Sequence, residues 1–387
     1  MKKIIIVNNN MKVGGVQKSL YNLLWEIEGK YDVTLCLFNK CGEYVDMLPP
    51  SVKVIEAKKP YAYLGISQGE CSGLGALIRG GYAFVARLIG RKKILSFMNR
   101  IQPRLDGSYD CAISYLHNGR EKSFYGGTQD FVLGCVKAER KVAFIHGDYR
   151  NCGANHSVNN RDMERFDAVA ACSDGCRNAI LSVLPSLESK CFTVRNCHRF
   201  DEIRAMADEN PVEYSENHIN LLIVARLSHE KGIERAIIAL AEAIKAGASA
   251  KLHIVGGGSM LNELSLLASN LGVPDNVIFY GEQANPYRYM KNADVLLISS
   301  YHEAAPMVID EAICLGLPVL TTETTSSYDM VTARECGWVC ENSQDALNEM
   351  LRRVVSDKNT ISEVKEKLKN CQVNNGQALA QFDLLIQ

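Results

Sequence analysis

Short apolar runs alternate with longer amphipathic stretches along nearly the whole chain. Residues 4–7, Ile-Ile-Ile-Val, contain no polar position, as a strand buried on both faces requires. A loop bearing Gly14 and Gly15 follows, and then residues 16–25 carry apolar side chains at helical spacing. Residues 32–38, 110–115, 141–145 and 168–172 read as further strands. Such alternation predicts a parallel sheet with crossover helices.

Residues 201–217 break the pattern with Asn-Pro and several acids, which predicts a linker. The alternation then restarts. Strands are predicted at 219–225, 250–255, 277–280, 295–299 and 319–321, and helices at 233–246, 260–271 and 306–315. The expected fold class is therefore α/β, with two Rossmann-like domains at residues 1–200 and 218–370 and a further segment at 371–387. Two such halves would face each other across a cleft, and ligands of these sheets bind beyond the carboxyl ends of the strands.

Composition narrows the picture. The chain has 387 residues, 47% hydrophobic and 22% charged, enough for two cores. A net charge of −1 gives no global attraction to nucleic acid. No apolar run reaches the roughly 20 residues that span a bilayer. The N-terminal run is too short for a signal-peptide core and lacks a small-residue cleavage site, so a cytoplasmic protein is expected. The 14 cysteines form no paired Cys-x-x-Cys units and read as reduced thiols. Cys152 with His156, and Cys197 with His198, lack the matching second pair of a zinc site.

Candidate chemistry gathers at predicted strand ends. The strand ending at Ala225 runs into Arg226-Leu-Ser-His-Glu-Lys231-Gly232. Arginine offers a planar fork of donors and lysine a compact charge, and both suit phosphate oxygens. Gly256-Gly257-Gly258 follows another strand and precedes a helix, where backbone can approach an anion closely. Glu303 and Glu311 lie eight residues apart, one before and one within the helix that Pro306 would open. Ionised carboxylates accept two hydroxyls at once, as a ribose diol or a sugar presents them. The free amides of that helix start lie near Met307 and Val308. In the first half, Gly14 and Gly15 offer a second backbone cradle, and His146, Ser173 and Asn196 end strand-like runs.

The order of these segments resembles the family-4 retaining glycosyltransferases, which have the two-domain GT-B architecture. The matching pieces are Gly14-Gly15-Val16-Gln17, the His146 segment, Val194-Arg195-Asn196, residues 225–232, Ile254 to Gly258, Val277 to Gly281, and the two glutamates. The likeness is strongest over residues 221–321 and weakest over 48–103. It implies that Arg226 and Lys231 bind a donor diphosphate, that Glu311 holds the nucleotide ribose, and that Glu303 contacts the transferred sugar. Gly14 and Gly15 would lie against the donor phosphates, Gly257 in the donor-binding turn, and His146 at the donor sugar. The 371–387 segment would cross back to the first domain. Ala304-Ala305 stands where the family more often has Gly-aromatic, and Ala225 where a Gly is common.

The resemblance implies transfer of a sugar from a nucleotide diphosphate sugar, UDP on family frequency, with retention of configuration. Arg226, Lys231, Glu303 and His146 are its expected catalytic residues. The acceptor would be a saccharide or a lipid-linked molecule, in surface polysaccharide or glycolipid assembly. No Asp-x-Asp occurs, so neither metal nor other cofactor is expected. The competing readings are a catalytically silent nucleotide-sugar-binding subunit and a nucleotide-sugar epimerase. A dehydrogenase would need Gly-x-Gly-x-x-Gly after a first strand, which neither half has. Finally, seven basic residues and no acid lie from Arg79 to Arg104, interleaved with apolar ones. That mixture suits an anionic membrane surface, and equally a solvated helix with an apolar inner side. The first reading would put the protein peripherally on the inner face of a membrane.

Overall fold

The structure is a computed structural model that describes all 387 residues. They form two compact units, Met1–Cys197 with Asn375–Gln387, and His198–Asn374.

In the first unit, β1 (Lys3–Asn8) leads through α1 (Gly15–Glu26) to β2 (Asp32–Leu37) and β3 (Lys53–Glu56). Two adjoining helices follow, α2 (Gly73–Ile89) and α3 (Arg91–Ile101). Then β4 (Tyr109–Ser114), α4 (Thr128–Cys135), β5 (Ala138–Ile145), α5 (Ser157–Glu164), β6 (Ala168–Ala171), α6 (Asp174–Val183) and β7 (Cys191–Thr193) complete the alternation. The seven strands form one sheet in the order β3-β2-β1-β4-β5-β6-β7, and every pairing is parallel. The apolar runs explain its centre: Ile4, Ile6, Leu35 and Ile113 are fully buried.

The second unit opens with α7 (Phe200–Asp208) and continues with β8 (Ile219–Val224), α8 (Ile233–Lys245), β9 (Ala250–Val255) and α9 (Leu261–Asn270). Next come β10 (Val277–Gly281), the single turn α10 (Tyr287–Met290), β11 (Val295–Ile298), α11 (Met307–Cys314) and β12 (Val319–Thr322). The unit ends with β13 (Gly337–Cys340), α12 (Gln344–Ser356) and α13 (Lys358–Lys369). Its parallel sheet runs β10-β9-β8-β11-β12-β13. Ile233, Ala236, Ile237 and Leu240 form the buried stripe of α8 at i, i+3, i+4 and i+7. The last helix, α14 (Gly376–Ile386), returns to the first unit, where Ala378, Phe382 and Leu385 join its core.

One expectation needs correction. Residues 201–217 are not a free linker. Helix α7 buries Ile203 and Ala207, four apart on one face, in the second unit's core, and the irregular residues after it are tied down by Tyr214 Oη donating to the Tyr289 carbonyl at 2.8 Å. Of the acids that suggested a linker, Asp201 and Asp208 are exposed on that helix, Glu202 is half-buried, and Glu209, Glu213 and Glu216 lie beyond it. The chain passes between units at residues 197–198 instead.

The basic stretch divides into charges that are anchored and charges that are exposed. Arg91 is only 1% exposed, and its guanidinium donates to Asn159 Oδ1 at 2.6 Å. Lys92 pairs with Asp130 and Asp162. Arg79 donates to the carbonyls of Tyr63 and Ile66. These three charges anchor α2 and α3 to the rest of the unit.

Candidate functional site

The loops after β8, β9 and β11 lie at the carboxyl ends of neighbouring strands and are stitched together by backbone. The Ala225 amide donates to the Val255 carbonyl at 3.1 Å, and the Leu227 amide to the Gly257 carbonyl at 2.8 Å. The Tyr301 amide donates to the Glu230 carbonyl at 3.0 Å, and Ser299 Oγ to the Lys231 carbonyl at 3.2 Å. Glycines permit this closeness. A Cβ on Gly256 (φ 147°) would sit 1.9 Å from the Ala225 carbonyl oxygen, and one on Gly258 (φ 156°) 2.4 Å from that of Leu227. Gly232, at φ 57°, would place a Cβ 2.2 Å from the Ser299 carbonyl oxygen. These three glycines therefore answer first to loop packing. Gly257 is different: a Cβ there meets nothing closer than 3.4 Å.

This stitching brings two of the predicted side chains of the second unit, Lys231 and Glu303, together. Lys231 Nζ donates to Glu303 Oε1 at 2.7 Å, and the pair is largely buried. Ser300 Oγ donates to the same oxygen at 2.8 Å. Arg226 projects outward, its side chain 78% exposed and 3.3 Å from Glu230. Glu311, on α11, is only 3% exposed. Pro306 is the N-cap of α11 rather than its first residue, and no side chain caps the helix. The first helical amides, on Met307 and Val308, thus belong to an uncapped helix start, which favours an anion. Asp310 is held well below the usual carboxylate range, against the cost of its burial, by His198 and Arg334. That cluster fixes the inner face of α11 beside Glu311.

Within the first unit, Gly14 is the N-cap of α1, again with no side-chain cap and no acid in the first turn. Its φ of 174° is extended backbone, so conformation does not demand glycine there. A Cβ on Gly15 meets nothing within 4 Å. The open helix start is what remains of the predicted cradle. Asn196 accepts from Ser19 Oγ at 2.7 Å, and Ser19 also bonds Tyr115 Oη at 2.8 Å. Ser173 is a helix cap, its Oγ accepting from the Cys176 amide. His146 lies past the end of β5, stacked on Phe144 with ring centroids 4.9 Å apart. Burial and neighbouring His117 push its pKa down to about 3. No group of three or more His, Cys, Asp or Glu is arranged to hold a metal ion.

Sequence reasoning missed Ser300, Tyr301 and His117. Ser300 and Tyr301 follow the β11 run directly, and a Ser-x-x-Glu spacing before a helix was the available signal. Tyr301 is locked by its Oη donating to Glu234 at 3.0 Å and by the Arg235 guanidinium 4.7 Å from its ring centre.

Residues 207–372 match the family of glycosyl transferases group 1. Over 128 residues the chain is 38% identical to the lipopolysaccharide glucosyltransferase WaaG of Escherichia coli K12, covering 33% of this chain and 34% of that one. The matched stretches span about a third to three fifths of the length of the curated relatives. Among solved structures, the apo lipopolysaccharide outer core galactosyltransferase WaaB superposes with a TM-score of 0.65 at 18% identity, over 100% of this chain and 99% of that one. Anabaena HepE in complex with UDP gives 0.64 at 17% identity, over 100% and 96%. At such identities the likeness establishes the fold, and it is the GT-B fold expected from the sequence.

Proposed function

We propose that this chain, which carries a group 1 glycosyltransferase domain at residues 207–372, transfers a sugar from a nucleotide diphosphate sugar to a saccharide or lipid-linked acceptor. The observation that carries the reading is the stitched set of loops beyond β8, β9 and β11. Together with α11, which follows the last of them, it puts two cations, Arg226 and Lys231, two carboxylates, Glu303 and Glu311, and an uncapped helix start beyond the carboxyl end of one sheet. Each group matches one part of the donor. Arg226, Lys231 and the helix-start amides stabilise charge as the diphosphate departs. Glu311 accepts the ribose hydroxyls and Glu303 those of the sugar, fixing geometry.

In this reading Lys231 is held by Glu303, whose carboxylate also accepts from Ser300, so its ammonium is aimed before substrate arrives. Charge on the leaving group is met by side chains and backbone, without a metal. The resemblance to retaining transferases favours retention by front-face attack, a donor phosphate oxygen taking the acceptor's proton, over a double displacement of the glycosidase type. UDP is the proposed nucleotide, supported by the fold shared with a UDP-binding relative. Lipopolysaccharide-type acceptors are supported by the names of the relatives.

The acceptor side has a second support. Helix α2 exposes Leu74, Leu77, Phe84 and Leu88, at 72%, 74%, 62% and 65%, along one face. No acid occurs from residue 71 to 105, and Arg87, Lys93, Arg100 and Arg104 are exposed. An apolar face set among cations suits an anionic bilayer interface. No helix of the chain is long and apolar enough to cross a membrane. We therefore place membrane contact on the α2 face, not on the anchored Arg91 and Lys92.

Binding tests the donor half of the reading. A thermal-shift panel of UDP, GDP, ADP, CDP and NAD should raise the melting temperature with one nucleoside diphosphate, and Glu311→Ala should abolish that shift. A response to NAD alone would contradict the reading.

A further inference from the structure

The carboxyl ends of β4 and β5 carry two histidines that only the fold brings together. The strands pair in parallel with Ser114 opposite Ala143, so His117 and His146 each lie three residues past that pair. An ideal Cβ on Gly147 would sit 3.2 Å from His117 Cε1 and 3.5 Å from its Nε2. The His117 imidazole therefore lies against the backbone next to His146, where glycine leaves room for it.

Each ring has a buried nitrogen without a protein partner, Nδ1 of His117 and Nε2 of His146. Buried polar atoms in folded proteins are almost always paired, so an orphan calls for an explanation. The obvious internal partner is already engaged: Tyr115 Oη, whose ring lies 4.7 Å from that of His146, is bonded to Ser19. No carboxylate acts on either ring, and burial holds the pKa of His117 at about 4 and of His146 at about 3. Both imidazoles are thus neutral near pH 7, and each offers one donor and one acceptor. Such a pair has no charge with which to attract phosphate or carboxylate. It suits a group that both donates and accepts, and a sugar hydroxyl does so.

We propose that His117 is a sugar-hydroxyl-binding residue that sets specificity, acting beside His146 across the Gly147 backbone. This rests on the transferase reading above, and the hydroxyl belongs either to the donor's sugar or to the acceptor's.

The test uses the full chain as wild type, His117→Phe and His117→Asn. Phenylalanine keeps the ring and loses the nitrogens; asparagine keeps one donor and one acceptor. Calorimetry would measure UDP, UDP-glucose, and methyl α-glucoside in the presence of UDP, with the GDP series used instead if wild type prefers it. UDP affinity should be unchanged in both variants. A loss of about three- to tenfold in His117→Phe, the worth of one neutral hydrogen bond, should fall on UDP-glucose if the hydroxyl is the donor's, and on the glucoside if it is the acceptor's. His117→Asn should recover part of it. Unchanged affinities for both sugars, with UDP bound normally, would overturn the role of His117 and leave the transferase reading standing. A wild type that binds no nucleoside diphosphate would remove both. An equal loss for UDP and UDP-sugar in both variants would show that His117 only supports the fold.

Discussion

In the proposed donor site, Glu311 is the residue on which nucleotide binding should most depend. It is a buried carboxylate at the second turn of an uncapped helix. Replacing it with alanine should cost about tenfold or more in nucleoside diphosphate affinity, since a hydrogen bond to a charged group is worth about 1.5–3 kcal/mol. Lys231 and Glu303 behave as a pair. Lys231→Ala should lower turnover far more than nucleotide affinity, because its charge matters most as the diphosphate departs, and comparison of kcat with KM checks this. The histidines give a pH signature. The folded chain holds His117 and His253 at about 4, in both cases chiefly through burial, against an ordinary value of about 6.5. Between about pH 6.5 and 4 the unfolded chain takes up protons that the folded chain refuses, so stability should fall as pH drops through that window. Thermal melts should show it, with a flatter profile for His253→Phe; a melting temperature constant down to pH 4 would contradict the assignment.

At the scale of elements, the glycine turn separates two roles that the sequence merges. Gly256→Ala and Gly258→Ala should each destabilise by roughly 1–3 kcal/mol or more, from unfavourable backbone and a clash with a carbonyl. Gly257→Ala should leave stability nearly unchanged, and any loss of nucleotide affinity in it would mark close ligand approach. Denaturant unfolding of the three variants separates these effects. The alternation of buried runs and helical stripes was legible because parallel strands are apolar on both faces. Glu303 and Glu311 were legible because they flank a strand-to-helix boundary. His117 was not, since Tyr-Leu-His-Asn has no motif and its neighbour His146 is defined only by the register of β4 and β5. The partners of Lys92 lie 38 and 70 residues away in the chain, which no local pattern reveals. Helix α7 was hidden because two buried apolar residues sat among acids.

For the whole molecule, the exposed α2 face should act independently of the donor site. Leu77→Gln with Leu88→Gln should leave melting temperature and UDP affinity unchanged while lowering retention on vesicles of phosphatidylglycerol and phosphatidylcholine. Equal retention would contradict the membrane assignment. Arg91→Ala, in contrast, should destabilise the first unit by about 1–3 kcal/mol, since it removes the buried donor to Asn159 Oδ1 and one of the two cations beside Asp130, Lys92 remaining. The central claim is turnover, which also separates a working transferase from a silent nucleotide-sugar-binding subunit. The most direct measurement is release of nucleoside diphosphate from a panel of nucleotide sugars, with lipopolysaccharide and glycolipid extracts supplied as acceptors, on wild type and Lys231→Ala. The account predicts acceptor-dependent release from one nucleotide sugar, lost in the variant. Binding of that nucleotide with no release above background from any donor and acceptor would contradict it.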